Sequence, residues 1–295
     1  GGVFRKPLAW YIARRRTNYV AHHYAEIGGG SPIRKLTERQ ARALEAALAP
    51  HIEPRIAIAM RYWHPLSEEA AALIRSVPLD ELVLLPLYPQ YSIATTGSSL
   101  KEWSRCYQPA RPPLPLHVIE HFYNHPGYLE AVCDRIALSL THFDHPADVH
   151  LVFSAHGLPM SLIEQGDPYQ RQVEATTRLV MERASAWGFG SNAHTLCYQS
   201  KVGRQKWLEP SLTETLERLA RAGTRHILVV PIAFVTEHIE TLHEINIEAR
   251  EEVAHFGVEQ FEMTPALGDS PRFIAALADL VLRAVGIESA RPAST

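Results

Sequence analysis

Apolar residues along this chain fall into short branched runs, each ending in a polar or proline-marked loop and followed by a longer amphipathic stretch. Runs at 56–60, 81–87, 116–119, 149–153, 195–199, 226–231 and 259–264 read as strands. Stretches at 7–25, 37–48, 68–76, 126–141, 170–187, 211–222, 237–255 and 271–285, with another opening at 95–99, read as helices. Thr37 and Ser67 stand where helix caps belong. Alternation of strand and helix throughout, with crossovers too long for hairpins, predicts an α/β fold of parallel sheets with helices on both faces. The rhythm runs twice, without a repeat at the residue level. The seam at 143–148 (FDHPAD) divides a half at 1–145 from one at 146–270, and the helix at 271–285 is free to pack back on the first.

Composition narrows the class. The 295 residues are 46% hydrophobic and 21% charged, with a net charge of −3, which suits a globular chain of one large or two medium domains and gives no nucleic-acid footprint. The one basic run, Arg14-Arg15-Arg16, reads as a solvated helix face. Three scattered cysteines without a CxxC pair argue against a disulfide framework or a cysteine metal cluster and suit a reducing compartment. No apolar run reaches the length of a membrane span. The triple glycine at 28–30 follows no strand, so it reads as a hinge, not a phosphate loop.

Three features carry chemistry. The run VHLVFSAHGLP at 149–159 delivers His156 to the carboxyl end of a strand, where open α/β sheets hold ligands. Taken alone, that histidine reads as a structural hydrogen-bonding group. On an ideal helix Glu237, Glu240, Glu244 and Glu248 share roughly a quarter-turn arc, opposite Ile239, Leu242, Ile245 and Ala249. Such a ridge is either a solvated face or a file of carboxylates for protons or hydrated cations. Its start follows the strand at 226–231, on the sheet edge that carries His156, and imidazole with carboxylate suits Fe(II), Co(II) or Zn(II) as well as proton transfer. Finally, Arg61, Tyr62, Trp63, Tyr88 and Tyr91 all follow strand ends. They are either core aromatics or walls for a flat anionic ligand.

The motifs resemble one family. IGGGSPI at 27–33, RYWHPL at 61–66, YPQYS at 88–92 with TTGSS at 95–99, FSAHGLP at 153–159, GDPY at 166–169, YQSKVG at 198–203 with Trp207-Leu208, and PIAFVTEHIETL at 231–242 occur in the order found in ferrochelatases. They span nearly the whole chain. The resemblance implies two Rossmann-like, chelatase-type domains around a cleft in which ferrous iron enters protoporphyrin IX to give protohaem, a lyase reaction in the cytoplasm. Coproporphyrin III or cobalt as substrate, and a non-catalytic tetrapyrrole-binding homologue, are the alternatives. It implies His156 and Glu240 as catalytic and metal-binding residues, and Arg61, Tyr62, Tyr88, Ser92 and Trp207 as porphyrin contacts. Glu237, His238, Glu244 and Glu248 would form a proton or metal relay. The helix at 7–25 would be a porphyrin lip touching the membrane surface, on a monomer or homodimer.

Four departures from the family pattern stand out. The segment that usually precedes Gly1, with a first strand and a glycine loop, is expected and missing. Ile93 stands where a cleft cysteine occurs in other members, and the C-terminal cluster cysteines are missing. No iron–sulfur cluster and no organic cofactor are therefore expected. Thr236-Glu237 replaces a common Ser-Asp pair.

Overall fold

The centre of the molecule is a strand buried on both faces. In the computed structural model, which describes residues 21–108 and 114–287, this strand, β3, is His150–His156. Leu151, Val152, Phe153, Ser154 and Ala155 are all fully buried. Branched and aromatic residues without polar alternation are what a central parallel strand requires, because helices cover both faces. Each large apolar side chain so buried contributes about 1.5–3 kcal/mol.

β3 lies between β4 (His194–Gln199) and β5 (His226–Pro231), with β6 (Gln260–Met263) beside β5, and every ladder is parallel. The register sets His156 opposite Gln199 and Ser154 opposite Pro231, so three strands end together on one edge. A smaller sheet pairs β1 (Leu82–Leu84) with β2 (Leu116–Val118), also in parallel. The expected α/β architecture of parallel sheets flanked by helices is thus the one observed.

Several expectations change in detail. Residues 56–59 run extended but form no strand; only Met60 bridges, to Leu66. A strand exists by pairing, and residues 56–59 form no ladder with any described strand. The strand read at 81–87 shrinks to three residues, since Pro86 has no N–H to offer a ladder. The first described full helix, α1, is Ile33–Leu48, longer than expected. Thr37 is inside it, its hydroxyl donating to the Ile33 carbonyl at 2.8 Å, and is no cap. The helix expected after Asp167-Pro168-Tyr169 follows a short extra helix, Met160–Glu164, and runs Tyr169–Arg183, its start fixed by the Asp167 carboxylate accepting from the Tyr169 N–H at 3.0 Å. Of the helix at 7–25, only residues 21–26 are described, and they are helical. Most of the lip and the arginine run lie outside the described residues.

The two halves are stitched together. The C-terminal helix, Pro271–Ala284, packs against α1 and against Pro126–Leu140, with Phe273 on Phe122 and Tyr128. Arg39 pairs with Asp269, His125 with Asp279, and the Tyr128 hydroxyl donates to the Ile232 carbonyl at 2.9 Å. The loop after β1 is tied across as well. Gln90 donates to Thr176 at 3.0 Å and to the Ile232 carbonyl at 3.3 Å, and the Tyr91 N–H donates to Gln172 at 2.7 Å.

Candidate active site

His156 ends β3, and Gly157 follows because nothing larger fits. A Cβ on Gly157 would meet the Gln199 carbonyl oxygen at 2.8 Å and the Trp207 ring at 3.5 Å. The chain after β5 turns through Phe234 and enters a helix at residue 239, which winds as a π-helix over Glu240–Ala249 before ending as Arg250–Ala254 in α form. A π-helix of this length is unusual, and such segments gather at functional sites. Thr241, Ile245 and Ala249, four apart, bury their side against the sheet, with Ile245 and Ala249 in the cluster around Val152, Ile227 and Val229. Glu240, Glu244 and Glu248, also four apart, fall on the adjoining side.

That winding sets Glu240 on His156. His156 Nδ1 lies 2.8 Å from Glu240 Oε2, with the side chains 36% and 33% exposed. A carboxylate only accepts, so Nδ1 donates and Nε2 is the nitrogen left to the cleft. His238 joins them: its Nδ1 donates to the Thr236 carbonyl at 3.1 Å, and its Nε2 stands 3.9 Å from Glu240. Phe234 stacks edge-on to His156 and lies against His238.

Burial works to raise the Glu240 carboxyl, but the hydrogen bonds and charges of His156 and His238 more than reverse it and hold it well below the ordinary 4.5. Burial works to lower His156, and the Glu240 carboxylate more than reverses that, so the imidazole sits above 6.5. Glu244 goes the other way. Burial raises it above 4.5, only partly offset by hydrogen bonds from Ser200. Two neighbouring carboxyls are thus split, one firmly ionised and one more ready to hold a proton.

Ser200 is the residue the sequence reasoning passed over. It follows β4 with φ +65, a left-handed conformation uncommon for a side-chain-bearing residue. Its N–H and its hydroxyl each reach Glu244 at 2.6 Å, and the hydroxyl lies 3.4 Å from Glu240. Gln199 donates to the Glu240 backbone carbonyl at 3.0 Å and is itself held by the Ser154 hydroxyl at 2.7 Å. The signal that could have found Ser200 is the one used for His156: it too follows a strand that ends on this edge.

Other expected site residues lie as follows. Arg61 sits 4.7 Å over the Tyr62 ring and donates to Ser98 at 3.1 Å. Tyr62 is 78% exposed. The Tyr88 phenol is raised by burial, partly offset by Ser99. Three residues do not fit their expected places. Ser92 is fully buried; its hydroxyl donates to Asp167 at 2.8 Å and accepts from the Ala94 N–H at 3.1 Å, which makes it a brace and a cap, not a cleft contact. Trp207 is buried behind Gly157, its indole donating to the Val202 carbonyl at 3.1 Å. Glu237 precedes the helix and turns from the ridge, its carboxylate accepting from the Ala266 N–H at 2.7 Å and from the Thr241 hydroxyl at 2.5 Å. Glu248 lies at the outer end of the file, exposed, beside His243 and His23. Among the described residues no helix is long and apolar enough to cross a membrane.

A parallel sheet that sets an imidazole against a carboxylate on its carboxyl edge, with further carboxyls beside them, has the layout of a metal chelatase. The fold agrees. SirB from Bacillus subtilis, solved with Fe3+, superposes with a TM-score of 0.59 at 15% identity, covering 87% of this chain and 92% of SirB. The sirohydrochlorin chelatase SirB in complex with cobalt does so at 0.57 and 14%, covering 86% and 91%. In sequence, the Ferrochelatase family profile matches residues 2–285. Ferrochelatases of Nostoc punctiforme and Thermosynechococcus vestitus are each 47% identical over 285 residues, covering 95% of this chain and 72% of theirs. The chain belongs to the ferrochelatase family, lyase-class metal chelatases that insert iron into a porphyrin in haem synthesis.

Proposed function

We propose that the chain inserts ferrous iron into protoporphyrin IX, with His156 as the proton acceptor and Glu240 as its carboxylate partner. The observation that carries this reading is the 2.8 Å contact between His156 Nδ1 and Glu240 on the sheet edge. Insertion takes one divalent cation and releases two pyrrole protons. With Nδ1 committed to Glu240, Nε2 is the base, and the imidazolium that forms lies against an ionised carboxylate. Glu244, raised by burial and coupled to Glu240 through Ser200, is the next stop for the proton, and Glu248 opens to solvent.

The macrocycle lies between the two halves, each a domain on this reading, against Tyr88 and Tyr62, with Arg61 for a propionate. Its binding energy supports tilting a pyrrole so that the nitrogen lone pair is exposed. The reaction needs no organic cofactor and no cluster. Cys133 and Cys197 fit that reading, since burial pushes both thiols up to about 12. The reading places the enzyme in the cytoplasm as a monomer or homodimer with peripheral membrane contact.

The test is zinc insertion into a porphyrin, followed by fluorescence. His156→Ala is expected to lose insertion by about 10²-fold or more, the usual contribution of a positioned base. Normal turnover in that variant overturns the assignment. Protoporphyrin IX and coproporphyrin III assayed side by side decide the substrate, and porphyrin binding without insertion by the unaltered chain would mark a binding protein instead.

A further inference from the structure

A single buried amide spans the inner pair from behind. Gln199 ends β4 opposite His156 in the ladder, and both it and Ser154 of β3 are buried. The Gln199 backbone carbonyl accepts from the Gly157 N–H at 2.8 Å, which pins the turn that follows His156 to the end of β4. The side chain crosses to the π-helix, where Nε2 donates at 3.0 Å to the carbonyl of Glu240, the first π-helical residue. Oε1 accepts from the Ser154 hydroxyl at 2.7 Å.

The partners leave this amide one orientation. A main-chain carbonyl only accepts, so the nitrogen faces Glu240 and the oxygen is left for a hydroxyl that donates. An apolar side chain of the same length would strand both partners, and a carboxylate would set lone pairs against the Glu240 carbonyl. What the bond adds to packing is direction. Ile245 and Ala249 hold the π-helix on the sheet, but apolar contacts are non-directional and do not fix its slide or its rotation. Among the described residues, the Gln199 bond is the only hydrogen bond that ties the sheet to the backbone of this helix. It falls on the residue whose carboxylate meets His156 Nδ1 at 2.8 Å. Gln199 therefore holds both members of the pair, His156 through the end of β3 and Glu240 through its own carbonyl.

We propose that Gln199 is the positioning residue of the His156–Glu240 pair, with Ser154 orienting its amide. It sets the distance across which imidazole and carboxylate meet and takes no part in the chemistry. Its effect on turnover rests on the reading of that pair as base and partner; its effect on the geometry does not.

The experiment is Gln199→Met in the whole chain, which keeps an unbranched side chain of similar length and removes both amide groups, with Ser154→Ala beside it. In zinc insertion, Gln199→Met is expected to lower kcat about tenfold or more, with KM for porphyrin within about twofold, because a small misplacement of a catalytic group costs up to about 10²-fold. Ser154→Ala is expected to move the same way by a smaller factor. In the Glu240→Gln background, where the charge being aimed is gone, Gln199→Met is expected to cost about threefold at most. The proton on His156 Nδ1, followed by NMR in histidine-labelled chain and identified by its loss in His156→Ala, is expected to shift in Gln199→Met and in Ser154→Ala. With His156→Ala inactive, an unchanged kcat in Gln199→Met overturns the assignment. So does an unmoved resonance, or an equal loss in both backgrounds. A raised KM with kcat intact overturns it too, and makes Gln199 a porphyrin contact. Should Gln199→Met fail to fold, Ser154→Ala decides by the same measurements. Normal turnover in His156→Ala removes the catalytic reading of the pair, and the resonance alone then decides whether Gln199 positions it.

Discussion

Replacing Glu240 by glutamine isolates the charge in the inner pair. The amide has the same shape, and its oxygen can still accept from His156 Nδ1, so the 2.8 Å geometry survives. A hydrogen bond to a charged group contributes about 1.5–3 kcal/mol and a neutral one about 0.5–1.5 kcal/mol. With the two side chains 36% and 33% exposed, solvent screening argues for the low end, so the swap removes about 1 kcal/mol of the hold on the imidazolium. The pH dependence follows from the directions of the two shifts. His156 is raised, so its contribution to stability is full below 6.5 and is lost as pH climbs through the higher folded value. Glu240 is lowered, so its contribution is present above 4.5 and is lost as pH falls through the lower folded value. The Tm deficit of Glu240→Gln is therefore expected to be greatest between 4.5 and 6.5 and to shrink on either side. In zinc insertion, loss of about 1 kcal/mol from a charge that develops in the transition state slows turnover at least about fivefold. The inflection of rate with pH moves down, because burial still disfavours the imidazolium and of the two carboxylates only Glu244 is left to oppose it. A Tm deficit that is uniform across pH, together with an unmoved inflection, refutes the argument.

Three further outcomes are expected. Gly157→Ala must push the end of β3 off the Gln199 carbonyl, 2.8 Å from the added carbon, so thermal denaturation should show about 1–3 kcal/mol of destabilisation and insertion should slow as His156 shifts. Ser92→Ala removes a buried hydrogen bond to Asp167 and a cap, costing about 1–2 kcal/mol in denaturant titrations while KM for porphyrin stays within twofold; a large KM effect would restore Ser92 to the cleft. Tyr62→Ala, at a highly exposed position, should change stability by less than about 0.5 kcal/mol yet weaken porphyrin binding measured by fluorescence quenching.

What could be read from the sequence follows the strength of the local signal. β3 and β5 are buried on both faces, so their apolar runs are unbroken and their ends were legible, with His156 on the edge. The segment at 56–59 has the same pattern, but pairing is a property of neighbours and not of the segment. The ridge Glu240–Glu244–Glu248 was visible because residues four apart share a side in either helical winding. Glu237 was misplaced because the helix starts two residues later than the periodicity suggests, and its carboxylate turned to the nearest free N–H, that of Ala266. Ser200 had only its place after a strand end to mark it, since its contact with Glu244 depends on a left-handed backbone that three dimensions reveal.

The ties across the seam bear on how the molecule comes apart. Gln90, Tyr91, Ser92 and Tyr128 belong to the first half by chain order, yet their hydrogen bonds end on Thr176, Gln172, Asp167 and Ile232. Parting the halves would strand buried donors and acceptors at about 1–3 kcal/mol each. Neither half therefore has a low-energy route to melting ahead of the other, and loss of either takes the cleft wall with it. Cooperativity of this kind makes the wall that carries Tyr88 mechanically part of the half that carries His156. The two then move as one body, and any opening that admits a macrocycle has to occur elsewhere along the cleft.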